Sequence, residues 1–158
     1  MRQDVQKILI SSCLLGEVVR YDGKSKVLNS PLLQQWMSEE RLVALCPEVM
    51  GGLTVPRAAA ERVGEWVKTA AGDDVSAAFD RGAEAALALC QQHKIGIAVL
   101  KEGSPSCGSS TVYDGTFTGQ KMTGQGVTTA RLREHGVAVF SEWELDAVKR
   151  VLEKMEGL

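Results

Sequence analysis

Three cysteines of this 158-residue sequence, Cys13, Cys46 and Cys107, stand where chemistry is often done. Each follows a short apolar run that reads as a buried strand, over 5–12, 41–45 and 95–100 respectively. The third lies in Lys101-Glu102-Gly103-Ser104-Pro105-Ser106-Cys107-Gly108-Ser109-Ser110. Gly103 and Gly108 open backbone conformations closed to other residues, and Pro105 stiffens the turn between them. Such a loop holds one thiol among backbone N–H groups and small hydroxyls, surroundings that suit an anion, a metal or a cluster. The plain alternative is a polar strand-to-helix connection. Glu48, two residues beyond Cys46, is a candidate general base; as a lone loop carboxylate it would otherwise be solvated or cap a turn. Ser104 and Ser106 either satisfy a tight turn or orient a substrate and relay a proton.

Three thiolates without histidine partners favour a soft metal centre over calcium or magnesium. Structural zinc wants four protein ligands, whereas an iron–sulfur cubane held by three cysteines leaves one iron open. A cysteine nucleophile is the competing reading, and spacing alone leaves both open. Cys90 differs, because it falls on the apolar stripe of a long helix and reads as a small hydrophobe in the core. His93 and His135 sit near helix ends, where a charge role outweighs ligation. The glycines between 115 and 126 form neither a Walker nor a dinucleotide fingerprint.

The elements that must position these groups follow from periodicity and punctuation. Strand one, over 5–12, leads through a turn-rich loop from Leu14 to Lys26, with Asp22-Gly23 as a turn signal. Ser30 and Pro31 open a helix to about Glu39, its Leu32, Leu33 and Trp36 facing inward. Strand two carries Cys46 into a loop to Leu53, and residues 62–69 read as a short hairpin or edge segment. Asp73 or Asp74 is expected to cap a helix running to about Lys94. Its inward face holds Val75, Ala78, Phe79, Ala83, Ala86, Leu87 and Cys90. Residues 113–126 read as a long turn-rich segment, and loops of that length inside a compact domain are usually functional. A helix over 126–134, stopped by Gly136, a strand over 137–140 and a capping box at Ser141-Glu142-Trp143-Glu144 complete the order. Strands alternating with helices predict an α/β, Rossmann-like three-layer fold, its mostly parallel sheet covered by helices. Ligands bind such sheets at the carboxyl ends of the strands, so the topology draws the three thiols to one edge.

The formal charge of −2, with no run of Lys or Arg, leaves no electrostatic footprint for gripping a phosphate backbone. No apolar run is long enough to span a bilayer, and the amino end carries no signal-peptide pattern. A cytoplasmic location is the expectation. There, four cysteines without a CxxC pair serve as ligands, catalysts or core residues rather than disulfides. The length suits one domain over 1–158.

In their order and spacing, several stretches resemble the thiouracil desulfurase (thiouracil desulfidase) family, over nearly the whole chain. They are Ser-x-Cys-Leu-x-Gly from Ser11 to Gly16, Arg20-Tyr21-Asp22-Gly23, Cys46-Pro47-Glu48-x-x-Gly-Gly-Leu and Pro56-Arg57. The loop from Lys101 to Gly108, Tyr113-Asp114-Gly115-Thr116-Phe117 and Gly124-x-Gly126-Val127-Thr128 continue them. The resemblance implies a 4Fe-4S cluster held by Cys13, Cys46 and Cys107, with the fourth iron taking the sulfur of a thiolated pyrimidine. It also implies that Glu48 and Ser104 assist catalysis. The expected reaction is the non-redox hydrolysis of 2-thiouracil to uracil and hydrogen sulfide. The expected partner is a small molecule rather than a nucleic acid or a membrane, and the expected state a monomer or homodimer. Alternatives are a thiol- or persulfide-based sulfur-transfer enzyme, a desulfurase of thiolated tRNA, and a non-catalytic metal-binding module.

Overall fold

Alternating faces of four short strands bury two separate apolar layers, and that sets the architecture. The computed structural model describes residues 5–17, 20–23 and 28–157. Its strands are β1 (Ile8–Ser11), β2 (Leu42–Leu45), β3 (Ala60–Val63), β4 (Trp66–Thr69), β5 (Ile97–Leu100), β6 (Thr111–Tyr113), β7 (Lys121–Thr123) and β8 (Ala138–Ser141). Its helices are α1 (Pro31–Ser38), α2 (Pro47–Met50), α3 (Ser76–His93), α4 (Val127–Glu134) and α5 (Leu145–Met155). The central sheet has the order β2-β1-β5-β8, with every pair parallel.

Period-two alternation sends Ile8, Ile10, Ile97 and Val99 to one face, where they pack with Leu33 and Trp36 of α1 and Val148 and Leu152 of α5. Leu9, Ala98, Leu100 and Val139 go to the other face, against Ala86, Leu87 and Cys90 of α3 and Leu132 of α4. The result is the predicted three-layer α/β fold. Strands buried on both sides read as continuous apolar runs, which is why β1 and β5 are legible as ILIS and IAVL.

Several expectations need correction. Strand one starts only at Ile8, and Ser12–Leu15 wind into a 3-10 turn, because pairing with both neighbours extends no further than Ser11. Neither Asp73 nor Asp74 is the N-cap of α3. That position is Val75, whose amide donates to Val67 O of the β3–β4 hairpin at 2.9 Å. Asp74 instead accepts from the Ser76 amide at 2.9 Å. The expected loop after Cys46 begins as the single-turn helix α2. The expected turn-rich segment 113–126 carries the turn and second strand of an antiparallel hairpin that begins at Thr111, β6 with β7, in the register Thr111–Thr123, Val112–Met122 and Tyr113–Lys121. Part of the predicted loop from Leu14 to Lys26 lies outside the described residues. The hairpin expected over 62–69 is present as β3–β4. At the last helix the Ser141 amide donates to Glu144 Oε1 at 2.9 Å and the Trp143 amide to Ser141 Oγ at 3.2 Å. Regular helix nevertheless begins only at Leu145. Among the described residues, no helix is long and apolar enough to cross a membrane.

Candidate active site

At the carboxyl edge of the sheet a cavity of about 470 Å³ opens, a size that suits a small molecule. Cys13, Cys46, Glu48, Ser104 and Cys107 all line it. The three cysteines arrive by three different elements. Cys13 sits in the 3-10 turn just past β1, Cys46 at the junction of β2 and α2, and Cys107 in the loop after β5. Cys90 does not reach the cavity and stays 2% exposed within the core, as its helical position predicts. Among the described residues, no three or more His, Cys, Asp or Glu side chains gather closely enough to ligate one metal ion.

The sequence brings α2 to the site through glycine. Gly51 ends α2 and Gly82 lies on α3, and the two backbones meet there. A Cβ at Gly51 would land inside the Ala78 carbonyl, and one at Gly82 inside the Pro47 carbonyl. Glu48, in the first turn of α2, is thereby pressed toward the cavity. Its Oε1 accepts from Arg57 Nε at 3.0 Å, and its Oε2 accepts a long bond from Ser104 Oγ at 3.4 Å. The Arg57 and Glu48 side chains are only 7% and 15% exposed, so this ion pair is largely removed from solvent. Ser104 Oγ also accepts from the amides of Ser106 and Cys107, each at 3.1 Å. The two readings of Ser104 therefore coexist: it satisfies the turn under Cys107 and turns its proton toward Glu48.

The cysteine loop rests on α4. Gly126, Val127 and Thr128 donate their amides to the carbonyls of Gly108, Pro105 and Ser106 at 2.8–2.9 Å. Gly126 is required, since a Cβ there would strike the Ser106 carbonyl. Thr129 Oγ1 donates to Cys107 O at 2.9 Å. Ser106 is buried against Thr128, their hydroxyls 2.7 Å apart, so it serves the loop rather than the cavity.

In the bare chain, burial pushes the Cys13 thiol up to about 11; Cys46 adds to the rise, and Lys101 and Arg20 oppose it. Burial also raises Cys46, against a hydrogen bond from the Val49 backbone. Cys107 is raised by burial most of all, opposed by the hydroxyls of Ser11 and Ser106. Such thiols are poor free nucleophiles at neutral pH, whereas coordination to a metal deprotonates them. Arg20 and Lys101 favour the Cys13 thiolate and Arg57 the Cys46 thiolate, although Glu142 and Glu48, the ion-pair partners of Lys101 and Arg57, oppose them.

Several residues given no role in the sequence belong to this neighbourhood. Lys101 Nζ pairs with Glu142 Oε2 at 2.9 Å, and Glu142 Oε1 accepts from the Glu102 amide at 2.8 Å. Glu142 reads in sequence as part of a capping box, so its turn into the adjacent loop was hidden. Tyr21, Tyr113 and Lys121 also line the cavity. Tyr113 and Lys121 arrive through the β6–β7 hairpin, which had no clear sequence signal.

The fold and site define a parallel α/β protein with a thiol-lined cavity at a strand-end crevice, the place where such sheets keep their ligands. The 2-thiouracil desulfurase family profile matches residues 8–144, and the chain belongs to that family. It is 40% identical over 151 residues to the "Uncharacterized protein YbbK" of Bacillus subtilis (strain 168), covering 89% of this chain and 99% of that protein. It is 55% identical to a solved structure described as the 4Fe-4S-dependent thiouracil desulfidase TudS. The match has a TM-score of 0.93 and covers 94% of this chain and 98% of the other.

Proposed function

We propose that this chain is a 4Fe-4S-dependent desulfurase of thiolated pyrimidines, converting 2-thiouracil and water into uracil and hydrogen sulfide. The observation that carries this reading is the shared cavity: three cysteines from three strand ends face the same space as an ion-paired glutamate and a serine. The donor set fits the group. Cys13, Cys46 and Cys107 would hold the cluster, at the strand-end edge of the sheet where all three line one cavity. When bound, such a cluster supplies a thiophilic Lewis acid that draws electrons from the ring carbon bearing the sulfur.

The chain's own residues then manage protons and position. Arg57 occupies Glu48 Oε1 and leaves Oε2 turned toward Ser104 and the cavity. Glu48 takes a proton from the water that adds to the ring carbon and returns it to the departing sulfur. Ser104, its hydroxyl already between the Cys107 amide and Glu48, keeps that carboxylate aligned and lines the substrate's approach. The carbon–sulfur double bond is replaced by a carbon–oxygen double bond: Glu48 relays one water proton to sulfur as water adds and the second from the added hydroxyl as the carbon–sulfur bond breaks, so both protons of water end on sulfur. No oxidant or reductant is consumed. The raised thiols weigh against a cysteine nucleophile or persulfide carrier. The cavity volume favours a base or nucleoside.

The test is anaerobic reconstitution with iron and sulfide, followed by iron quantification and sulfide release from 2-thiouracil. Wild type and Cys90→Ala are expected to turn brown and release sulfide, while Cys13→Ala, Cys46→Ala and Cys107→Ala lose both properties. A colourless wild type that still desulfurates 2-thiouracil would transfer the chemistry to a bare thiol.

A further inference from the structure

The chemistry set out above makes no use of Glu102, yet its carboxylate gathers the ends of the loop that carries Cys107. Glu102 Oε1 accepts from the amides of Gly103 at 3.2 Å, Ser109 at 2.9 Å, Ser110 at 3.2 Å and Thr111 at 3.2 Å. Glu102 Oε2 accepts from the hydroxyls of Ser109 at 2.7 Å and Ser110 at 3.0 Å. These donors flank Cys107 on both sides. Between them the loop is held by other groups: Ser104 Oγ takes the Ser106 and Cys107 amides, and α4 amides take the carbonyls of residues 105, 106 and 108. Carboxylate and loop are complementary, because an ionised carboxylate only accepts and the groups the loop ends turn toward it are amides and hydroxyls that can donate. The Glu102 amide is in turn fixed to Glu142 and the Lys101 amide to Ser11, so the clasp is anchored at the sheet edge.

We infer that Glu102 is a positioning residue: by closing the 103–111 loop it sets where Cys107 and Ser104 stand relative to Cys13, Cys46 and Glu48. This rests on the reading of Cys107 as a cluster ligand. Glu102 does not line up as a base, since both its oxygens are taken by the loop. The isosteric amide distinguishes a clasp from a required charge. In Glu102→Gln the amide oxygen can replace Oε1 before the four amides, and the NH2 group can meet the serine hydroxyls, which rotate to accept. Glu102→Ala leaves the same four amides with no acceptor.

Hydrogen–deuterium exchange on the reconstituted protein, paired with the rate of iron loss to a chelator and the cluster's visible and electron paramagnetic resonance spectra, tests this. Glu102→Ala is expected to exchange amides 103–111 about tenfold faster or more, the scale of one lost net hydrogen bond. Exchange in β1 and β5 should stay as in wild type. Iron should be lost faster and the spectra should broaden, while Glu102→Gln restores loop protection and iron retention. Wild-type exchange in the loop of Glu102→Ala would overturn the inference, and so would a loosened loop with unchanged iron retention and spectra. If Glu102→Ala does not fold, the Ser109→Ala/Ser110→Ala double variant keeps the carboxylate but removes two of its donors. It should show the same local loosening and faster iron loss in smaller measure, and wild-type behaviour there counts equally against the clasp. A wild type that takes up no iron would defeat the function proposed above and the cluster half of this inference. The exchange comparison would still decide whether Glu102 holds the loop.

Discussion

Glu48 is coupled to Arg57 on one oxygen and to Ser104 on the other, so its substitution separates proton transfer from assembly of the site. Glu48→Gln keeps the side chain's size and an oxygen for Arg57 but loses the basic carboxylate. The variant is expected to load iron as wild type does. Its single-turnover release of sulfide from 2-thiouracil should fall by about a hundredfold to ten-thousandfold, the usual contribution of a general base. Near-wild-type release from a fully loaded variant would remove Glu48 from the proton path. Ser104 is not as clean a target. Its hydroxyl also holds the Cys107 amide, so Ser104→Ala is expected to weaken iron retention as well as turnover, and chelator challenge would show it.

At the scale of elements, the contact that matters most for the site is α2 against α3. It is made by backbone at Gly51 and Gly82, with no side chain free to move aside. Gly82→Ala should gain roughly 1 kcal/mol of intrinsic helix preference. The new methyl must nevertheless displace the Pro47 carbonyl, an overpacking that typically costs about 1–3 kcal/mol. The net expectation is a modest fall in Tm, about 2–4 °C for each kcal/mol lost in a chain of this size. Because Pro47 lies between Cys46 and Glu48, iron content should fall more than the stability change alone would cause. Full loading together with a lowered Tm would show that α2 tolerates the shift.

At the scale of the whole molecule, the two ends of the sheet are tied by carboxylates with depressed pKa values. At the amino end Arg41 is 8% exposed and pairs with both oxygens of Glu156, at 2.8 and 3.1 Å. The hydrogen bonds to Arg41 hold Glu156 below its ordinary value. At the carboxyl end burial alone would raise Glu102, but the bonds from Ser109, Thr111 and Ser110 outweigh it and hold the carboxyl at about 2 against an ordinary 4.5. A folded-state pKa below the unfolded one means that the unfolded chain binds more protons in acid. The stabilisation is therefore complete above roughly pH 5 and drains away as pH falls toward the folded value of about 2. Urea midpoints of the iron-free chain should be flat from pH 7 to about 5.5 and drop steeply by pH 3. Glu102→Gln should shrink that drop, and an unchanged acid limb in the variant would assign it to other carboxylates.

The strand positions were legible in the sequence because β1 and β5 are buried on both faces and are written almost wholly in apolar residues, Ser11 being the one polar member. Cys90 was legible as core for the same kind of reason, since helical periodicity placed it among Ala86 and Leu87. The order of strands and helices also drew three distant cysteines to one edge, because a parallel sheet sends every strand end the same way. Tertiary structure alone decided how that edge is furnished. The Arg57–Glu48 pair, the far side of the Glu102 clasp and the Lys101–Glu142 pair join residues 9, 7 to 9 and 41 positions apart, and no local pattern encodes them. Hairpin β6–β7 has no signature in the sequence because its strands are three residues each, too short for alternation to show. The cap of α3 departs from local capping preference because a backbone bond from Val75 to β4 competes with it and prevails. Apolar periodicity fixes which faces are buried, whereas polar partners are chosen by whatever donors and acceptors folding brings within reach.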